Sequence, residues 1–248
     1  MFARIFTEIV GVARMLGPWR CAVWLTGVVL NSPAILRSKS LAVADDFHGP
    51  VTRFRVFGKT IQVEPTPLGV CREVIGADCY RLGTLGADQR FLIDLGANVG
   101  IASLAMAARC PDARILAVEM NSKAAAQFSR NIEMNALSDR VSLKWGCLGG
   151  TIAADGSSGP AAPRCEVTDC LPEGMICDFL KCDIEGAEHA LITPGADWLD
   201  RVRRVALEYH WTAEDGRRLE AILTSHGFDV TMAPHGSLGY VFAVRGPA

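Results

Sequence analysis

No CxxC pair occurs in the 248 residues, although nine cysteines do. That absence removes the usual spacing of zinc ribbons and of thioredoxin-like redox sites. An odd number of thiols in a chain this long reads as reduced, buried cysteine, so the expected localisation is cytoplasmic. Nor does one charge dominate: 25 Lys+Arg stand against 27 Asp+Glu, a formal net charge of -2. Nucleic-acid binders usually present a strongly basic surface, so no nucleic-acid partner is expected. No apolar run reaches the ~20 residues that a membrane-spanning helix needs. The uncharged stretch between Arg20 and Arg37 is interrupted by Asn31, Ser32 and Pro33. No internal repeat is present. What remains is 50% hydrophobic and 21% charged, a globular composition.

The N-terminal third has its own character. Phe2, Ile5, Phe6, Ile9, Val12, Ala13 and Leu16 recur at helical spacing, opposite Arg4, Thr7, Glu8, Gly11 and Arg14. Gly17-Pro18 ends this amphipathic helix. Residues 1–40 hold five basic side chains and one acidic. They read as a helical appendage packed on the main domain or on another subunit, which leaves a homo-oligomer open. A peripheral membrane contact through these helices is the other reading. Ala42-Val43-Ala44 resembles a signal-peptidase site, but Arg37 and Lys39 separate it from the apolar run, so no cleaved signal is expected. Phe54 and Val56, then Ile61 and Val63, alternate with polar residues around Gly58-Lys59 and predict a β-hairpin. Val70 to Tyr80 predicts a short helix. Residues 1–84 are therefore expected to form a helical and β-hairpin extension covering the acceptor side of a cofactor-binding domain at 85–248.

From Arg90 the pattern alternates. Short apolar strands are expected at 91–93, 115–118, 141–145, 178–182 and 202–209, with helices at 101–109, 122–134, 188–192 and 219–226. Two final strands, 228–230 and 240–244, flank a turn at Ala233-Pro234-His235-Gly236. The expected fold is α/β and Rossmann-like: a mostly parallel seven-stranded sheet, helices on both faces, and an antiparallel edge hairpin.

Chemistry gathers at the strand ends. Asp94-Leu95-Gly96-Ala97-Asn98-Val99-Gly100 follows the first core strand and opens a helix. This is GxxxG behind a carboxylate, and not the GxGxxG of nicotinamide binders, whose bare N–H groups cradle a pyrophosphate. Glu119 ends the next strand, where a carboxylate can accept both ribose hydroxyls. A nucleoside with a charged amino-acid tail and no phosphate fits these demands, which makes S-adenosylmethionine the expected cofactor. A second cluster runs from Asp178 to Glu188. Strand alternation puts Lys181 and Asp183 on one side, with Glu185 in the turn and Glu188 in the first helical turn. Glu208-Tyr209-His210 ends the following strand.

The runs FLIDLGANVG, EMN, DFLKCDIEGAEHAL and LEYH resemble the FkbM-family methyltransferases over roughly residues 90–210. That resemblance implies a class I S-adenosylmethionine-dependent enzyme, most often an O-methyltransferase of glycans and natural products. It implies that Asp94, Gly96, Ala97, Asn98 and Gly100 hold the methionine end, with Glu119 and Met120 at the ribose and adenine. Lys181, Asp183, Glu185 and Glu188 would form an acidic wall near the transferred methyl. The family usually has Glu-Pro-Asn where this chain has Glu119-Met120-Asn121. The Gly-, Ala-, Ser- and Pro-rich stretch from Gly146 to Pro163 would shape the adenine pocket or a substrate lid.

The expected acceptor is a small molecule or glycan hydroxyl. His210 is the first candidate base, with Glu185 and Asp183 as alternatives. Asp183, Glu185, Glu208 and His210 also leave open a shared divalent cation, although no spacing is diagnostic and no metal ligand is assigned. A non-catalytic cofactor-binding protein and a nicotinamide-dependent oxidoreductase stand as competing classes. Trp211, beside His210, could stack on a sugar ring or simply pack.

Overall fold

Gly17 adopts a left-handed backbone (φ 84°) and Pro18 lacks an N–H, so the first apolar run splits into α1 (Phe2–Leu16) and α2 (Pro18–Leu30). The computed structural model describes residues 2–149, 162–210, 212–235 and 238–246. Two short helices, α3 (Ser32–Ser38) and α4 (Ala42–His48), lead into a hairpin of β1 (Val51–Val56) and β2 (Lys59–Thr66). Its alternation buries Phe54 and Val56 on one strand, and Ile61 and Val63 on the other.

The helix expected from Val70 to Tyr80 is shorter and differently wound. One turn, α5 (Leu68–Cys71), passes into a π-helical turn at Arg72–Gly76, closed by Ala77 N–H donating to the Arg72 carbonyl at 2.8 Å. Tertiary ties override the local period here. The Arg72 guanidinium bridges Glu8 of α1 at 2.9 Å and Asp45 of α4 at 3.0 Å, both carboxylates being buried. Gly11 of α1 lies so close that a Cβ there would run into the Gly76 carbonyl.

The remaining elements alternate: β3 (Phe91–Leu95), α6 (Ile101–Arg109), β4 (Arg114–Glu119), α7 (Ser122–Met134), β5 (Val141–Trp145), β6 (Phe179–Cys182), α8 (Glu188–Leu191), β7 (Arg204–Tyr209), α9 (Ala213–Ser225), β8 (Phe228–His235) and β9 (Leu238–Arg245). Seven strands form one sheet in the order β5-β4-β3-β6-β7-β9-β8. The first five are mutually parallel, while β9 runs antiparallel to both β7 and β8. The fold is thus the Rossmann-like α/β class, with the final hairpin folded back so that β9 lies inside β8.

Several boundaries differ from the sequence expectation, and α9, expected at 219–226, starts at Ala213 behind the Thr212 cap. Ala233, Pro234 and His235 continue β8, pairing with Tyr240, Gly239 and Leu238. The turn thus falls beyond them, and Gly236 lies outside the described residues. An edge strand tolerates a proline because its missing N–H need not serve a neighbour. The helix expected at 188–192 is the single turn α8, since Thr193 precedes Pro194 and is steered away from helical geometry. Of the stretch from Gly146 to Pro163, residues 150–161 lie outside the described residues, as does Trp211.

Each face of the sheet carries its own core. On one face α6 and α7 contribute Leu104, Met106 and Phe128, and the N-terminal helices join the same cluster through Val12, Met15 and Trp24. On the other, Leu191, Leu219 and Leu223 cover Leu180, Val205 and Val241. Each fully buried side chain of this size stabilises by roughly 1.5–3 kcal/mol. The described cysteines are free and, apart from half-buried Cys79, fully buried. Burial pushes the Cys177 and Cys182 thiols up, as for small hydrophobes in a core. Among the described residues no helix is long and apolar enough to cross a membrane.

Candidate active site

Neighbouring strands β3 and β6 send their chains to opposite sides, β3 toward β4 and β6 toward β7, and leave a crevice at their C-terminal ends. The loop after β3 enters it through Gly96 (φ 73°), where a Cβ would collide with the Asp183 carbonyl after β6. Only glycine lets the two strand ends approach so closely. Asn98 (φ 51°) and Glu185 (φ 53°), one on each loop, adopt left-handed conformations, a strain more often met at functional sites than elsewhere.

Two cavities meet at this junction. The larger, about 750 Å³, runs over the ends of β3 and β4 between Glu119, Met120, Leu148 and Ile184. The smaller, about 370 Å³, is walled by Tyr80, Glu73, Glu208 and His210. Gly96, Asn98, Val99, Asp183 and Glu185 line both.

Asp94 stands beneath the glycine loop, wholly buried, and lines neither cavity. Lys181 Nζ lies 3.2 Å from its Oδ1, and Ser103 Oγ donates to its Oδ2 at 2.6 Å. The same ammonium donates to the carbonyls of Leu95 (3.3 Å) and Gly96 (2.6 Å). Burial works to strip the Lys181 proton, but Asp94 and Asp183 outweigh it and keep the lysine charged. Lys181 and Asp94 therefore hold the loop in shape from below.

Glu119 reaches the larger cavity at the end of β4. Its Oε2 accepts from Asn98 N–H at 2.7 Å and its Oε1 from Asn121 N–H at 2.6 Å. Burial raises its pKa against those two hydrogen bonds. Each oxygen keeps a second lone pair for a ligand hydroxyl. Met120 lies beside it, its carbonyl fixed by Trp145 Nε1 at 2.9 Å.

His210, just beyond β7, faces three carboxylates: Glu188 Oε1 at 3.4 Å from Nδ1, then Asp183 Oδ1 and Glu185 Oε2, each 3.6 Å from Nε2. The Glu188 interaction, against burial and with help from Asp183 and Glu185, raises the imidazole to about 9. Glu188 is completely buried in the first turn of α8, and its Oε1 accepts from the Ile184 and Gly186 amides at 3.1 and 3.2 Å. Burial alone would raise Glu188; the His210 contact and these amides hold it below the usual range instead.

Tyr80 is absent from the sequence-derived site. Its hydroxyl lies 2.7 Å from Asp183 Oδ2 and 3.0 Å from Glu208 Oε2. One phenolic hydrogen cannot serve two carboxylates, so the second contact uses a carboxyl proton. Glu208 is the group suited to carry it, because burial and the Asp183 charge raise it to about 7. Glu73, from the π-helical turn, is the other wall residue that the sequence did not single out.

A seven-stranded sheet of this order, with a glycine loop after one central strand and a carboxylate after the next, has the Rossmann-like layout that methyltransferases use. Residues 172–230 match the family described as the methyltransferase FkbM domain. "Methyltransferase sdnD" of Sordaria araneosa is 28% identical over 215 residues, which is 65% of this chain and 82% of that protein. Two solved structures of the METTL16 MTase domain share the fold at 19% identity. Their TM-scores are 0.51, over 92% of this chain and 81% of that one, and 0.50, over 77% and 75%. The chain resembles the FkbM-family methyltransferases, with residues 172–230 matching that domain.

Proposed function

We propose that the protein uses S-adenosylmethionine to methylate a hydroxyl on a carbohydrate or a glycosylated natural product. The junction of two cavities at the ends of β3 and β6 carries this reading, because a group transfer between two molecules needs two sites with one shared wall. The residues present fit the cofactor. The larger cavity offers Glu119 for ribose hydroxyls, Met120 and Leu148 for an adenine face, and, among the described residues, no cation for a phosphate except exposed Lys123. Asp183 Oδ1, buried and without a hydrogen-bond partner, lies on the wall common to both. Asp94 acts through the loop it supports.

When bound, the cofactor supplies an electrophilic methyl on a sulfonium and departs as a neutral thioether. The chain's own part is to orient the acceptor and take its proton. Carboxylates of Glu73, Asp183 and Glu185 can accept hydrogen bonds from a polyol and repel anions, with the Glu208 carboxyl beside them. Neutral His210 takes the acceptor proton at Nε2 while Glu188 steadies Nδ1. Incubation with S-adenosylmethionine and a panel of sugars and glycosides, read as S-adenosylhomocysteine formation, tests this. Thermal stabilisation by NAD and not by S-adenosylmethionine would overturn it.

One observation favours a second reading. Asp183, Glu188 and His210 each offer a ligand atom, all within 4.8 Å of one another, a set that could share a divalent cation with hard oxygen donors. Under that reading exhaustive EDTA treatment abolishes turnover and Mg²⁺ restores it. Turnover that survives EDTA leaves His210 as the base.

A further inference from the structure

The exposed residues of α2 carry no charge, and on α3 Leu36 is exposed beside Arg37. Trp19, Ala22, Thr26, Val29, Leu30 and Leu36 follow one another at helical spacing and are all exposed, Trp19 by 80% and Val29 by 70%. A helix that only closes a fold turns polar residues to water, so this stripe is on the wrong side for a structural role. The inward face fixes the orientation. Trp24 is fully buried with its Nε1 donating to Asp45 Oδ1 at 2.9 Å, and Gly27 packs against the Phe47 ring. Phe6 of α1 is exposed as well, by 68%.

From Phe6 through α3 the charges beside the stripe have one sign, and the next exposed acid along the chain is Asp46 of α4. Between Phe6 and Leu41 the charged side chains reached by solvent are Arg14, Arg20, Arg37 and Lys39, since Glu8 is buried against Arg72. Apolar side chains ringed by cations suit the interface of an anionic bilayer, where the first enter the acyl boundary and the second meet headgroup phosphates. A second copy fits less well, because a two-fold contact would set these cations against their own images. With no described helix long enough to span, the segment would lie on the surface.

We propose that α1, α2 and α3 form a docking platform for an anionic lipid surface. The platform is joined to the smaller cavity: Arg72, which holds Glu8 and Asp45, is flanked by Val70, Glu73 and Val74 of the cavity wall.

Co-sedimentation of the full chain with phosphatidylcholine vesicles, with and without phosphatidylglycerol, tests this. The expected result is binding to the anionic vesicles, weakened by salt, and little binding to phosphatidylcholine alone. Trp19→Glu with Leu30→Glu should reduce binding by about tenfold or more, with the circular dichroism and thermal transition retained, because both positions are exposed. Arg37→Glu with Lys39→Glu should erase the preference for anionic lipid and serves as the second variant if the first misfolds. Absence of binding to either vesicle overturns the proposal, as does full binding by both variants. A dimer in light scattering that Trp19→Glu with Leu30→Glu dissolves, without vesicle binding, reassigns the face to self-association.

Discussion

Asp183 and Glu208 both lie within hydrogen-bond distance of the Tyr80 hydroxyl, and His210 is ringed by carboxylates, so single side chains set the proton inventory of the smaller cavity. With its imidazole raised to about 9, His210 in the free protein is charged at neutral pH. Its neutral fraction grows as pH rises, so kcat/KM should climb about tenfold per unit until near 9 and then level. His210→Ala should lose ~10²-fold in turnover together with that limb; an unaltered profile removes His210 from the base role. Glu119→Ala should weaken cofactor binding in calorimetry by roughly 1–3 kcal/mol, with acceptor KM little changed. Lys181→Met leaves the Asp94 carboxylate buried without its cation. A loss of about 3–5 kcal/mol in urea unfolding is expected, partly recovered when Asp94→Asn is added.

Elements were legible to different degrees, for reasons of range. The strand–turn–helix around Gly96 and Gly100, and the Lys181/Asp183 alternation on β6, are local patterns, and local patterns survive in sequence. Tyr80 is not local: its partners lie 103 and 128 positions away, and nothing around it marks a site residue. The pairing of Asp94 with Lys181 and Ser103 was equally hidden, since spacing places a carboxylate at a strand end without showing what sits behind it. Pro234 misled because composition says turn, while an edge strand accepts it. The π-helical turn at Arg72–Gly76 was unreadable because Glu8 and Asp45 impose it from other helices. A prediction belongs to that contact. Gly11→Val pushes α1 off the Gly76 carbonyl and should cost about 1–3 kcal/mol. It should also raise acceptor KM while cofactor affinity in calorimetry stays constant, because Glu73 moves and Glu119 does not.

For the whole molecule, proton linkage gives stability a definite slope with pH. The His210 pKa is raised from 6.5 unfolded to about 9 folded, so its stabilising contribution is complete below 6.5 and fades as pH rises through 9. Glu208 is raised from 4.5 to about 7, so the folded form also holds that proton more tightly and loses the advantage between those values. Both slopes have the same sign. Urea midpoints should fall from mildly acid to alkaline pH, and His210→Ala should flatten the part above neutrality.

The smaller cavity is walled by three stretches of the chain. The ends of β6 and β7 lie within the region that matches the methyltransferase FkbM domain; the loop from Gly96 to Ala102 and the stretch Val70 to Tyr80 lie outside it. Mutations in the stretch Val70 to Tyr80 can reshape what enters without touching the residues beneath the glycine loop. Descendants of such a chain can change clientele by rewriting about ten residues while inheriting the transfer machinery intact.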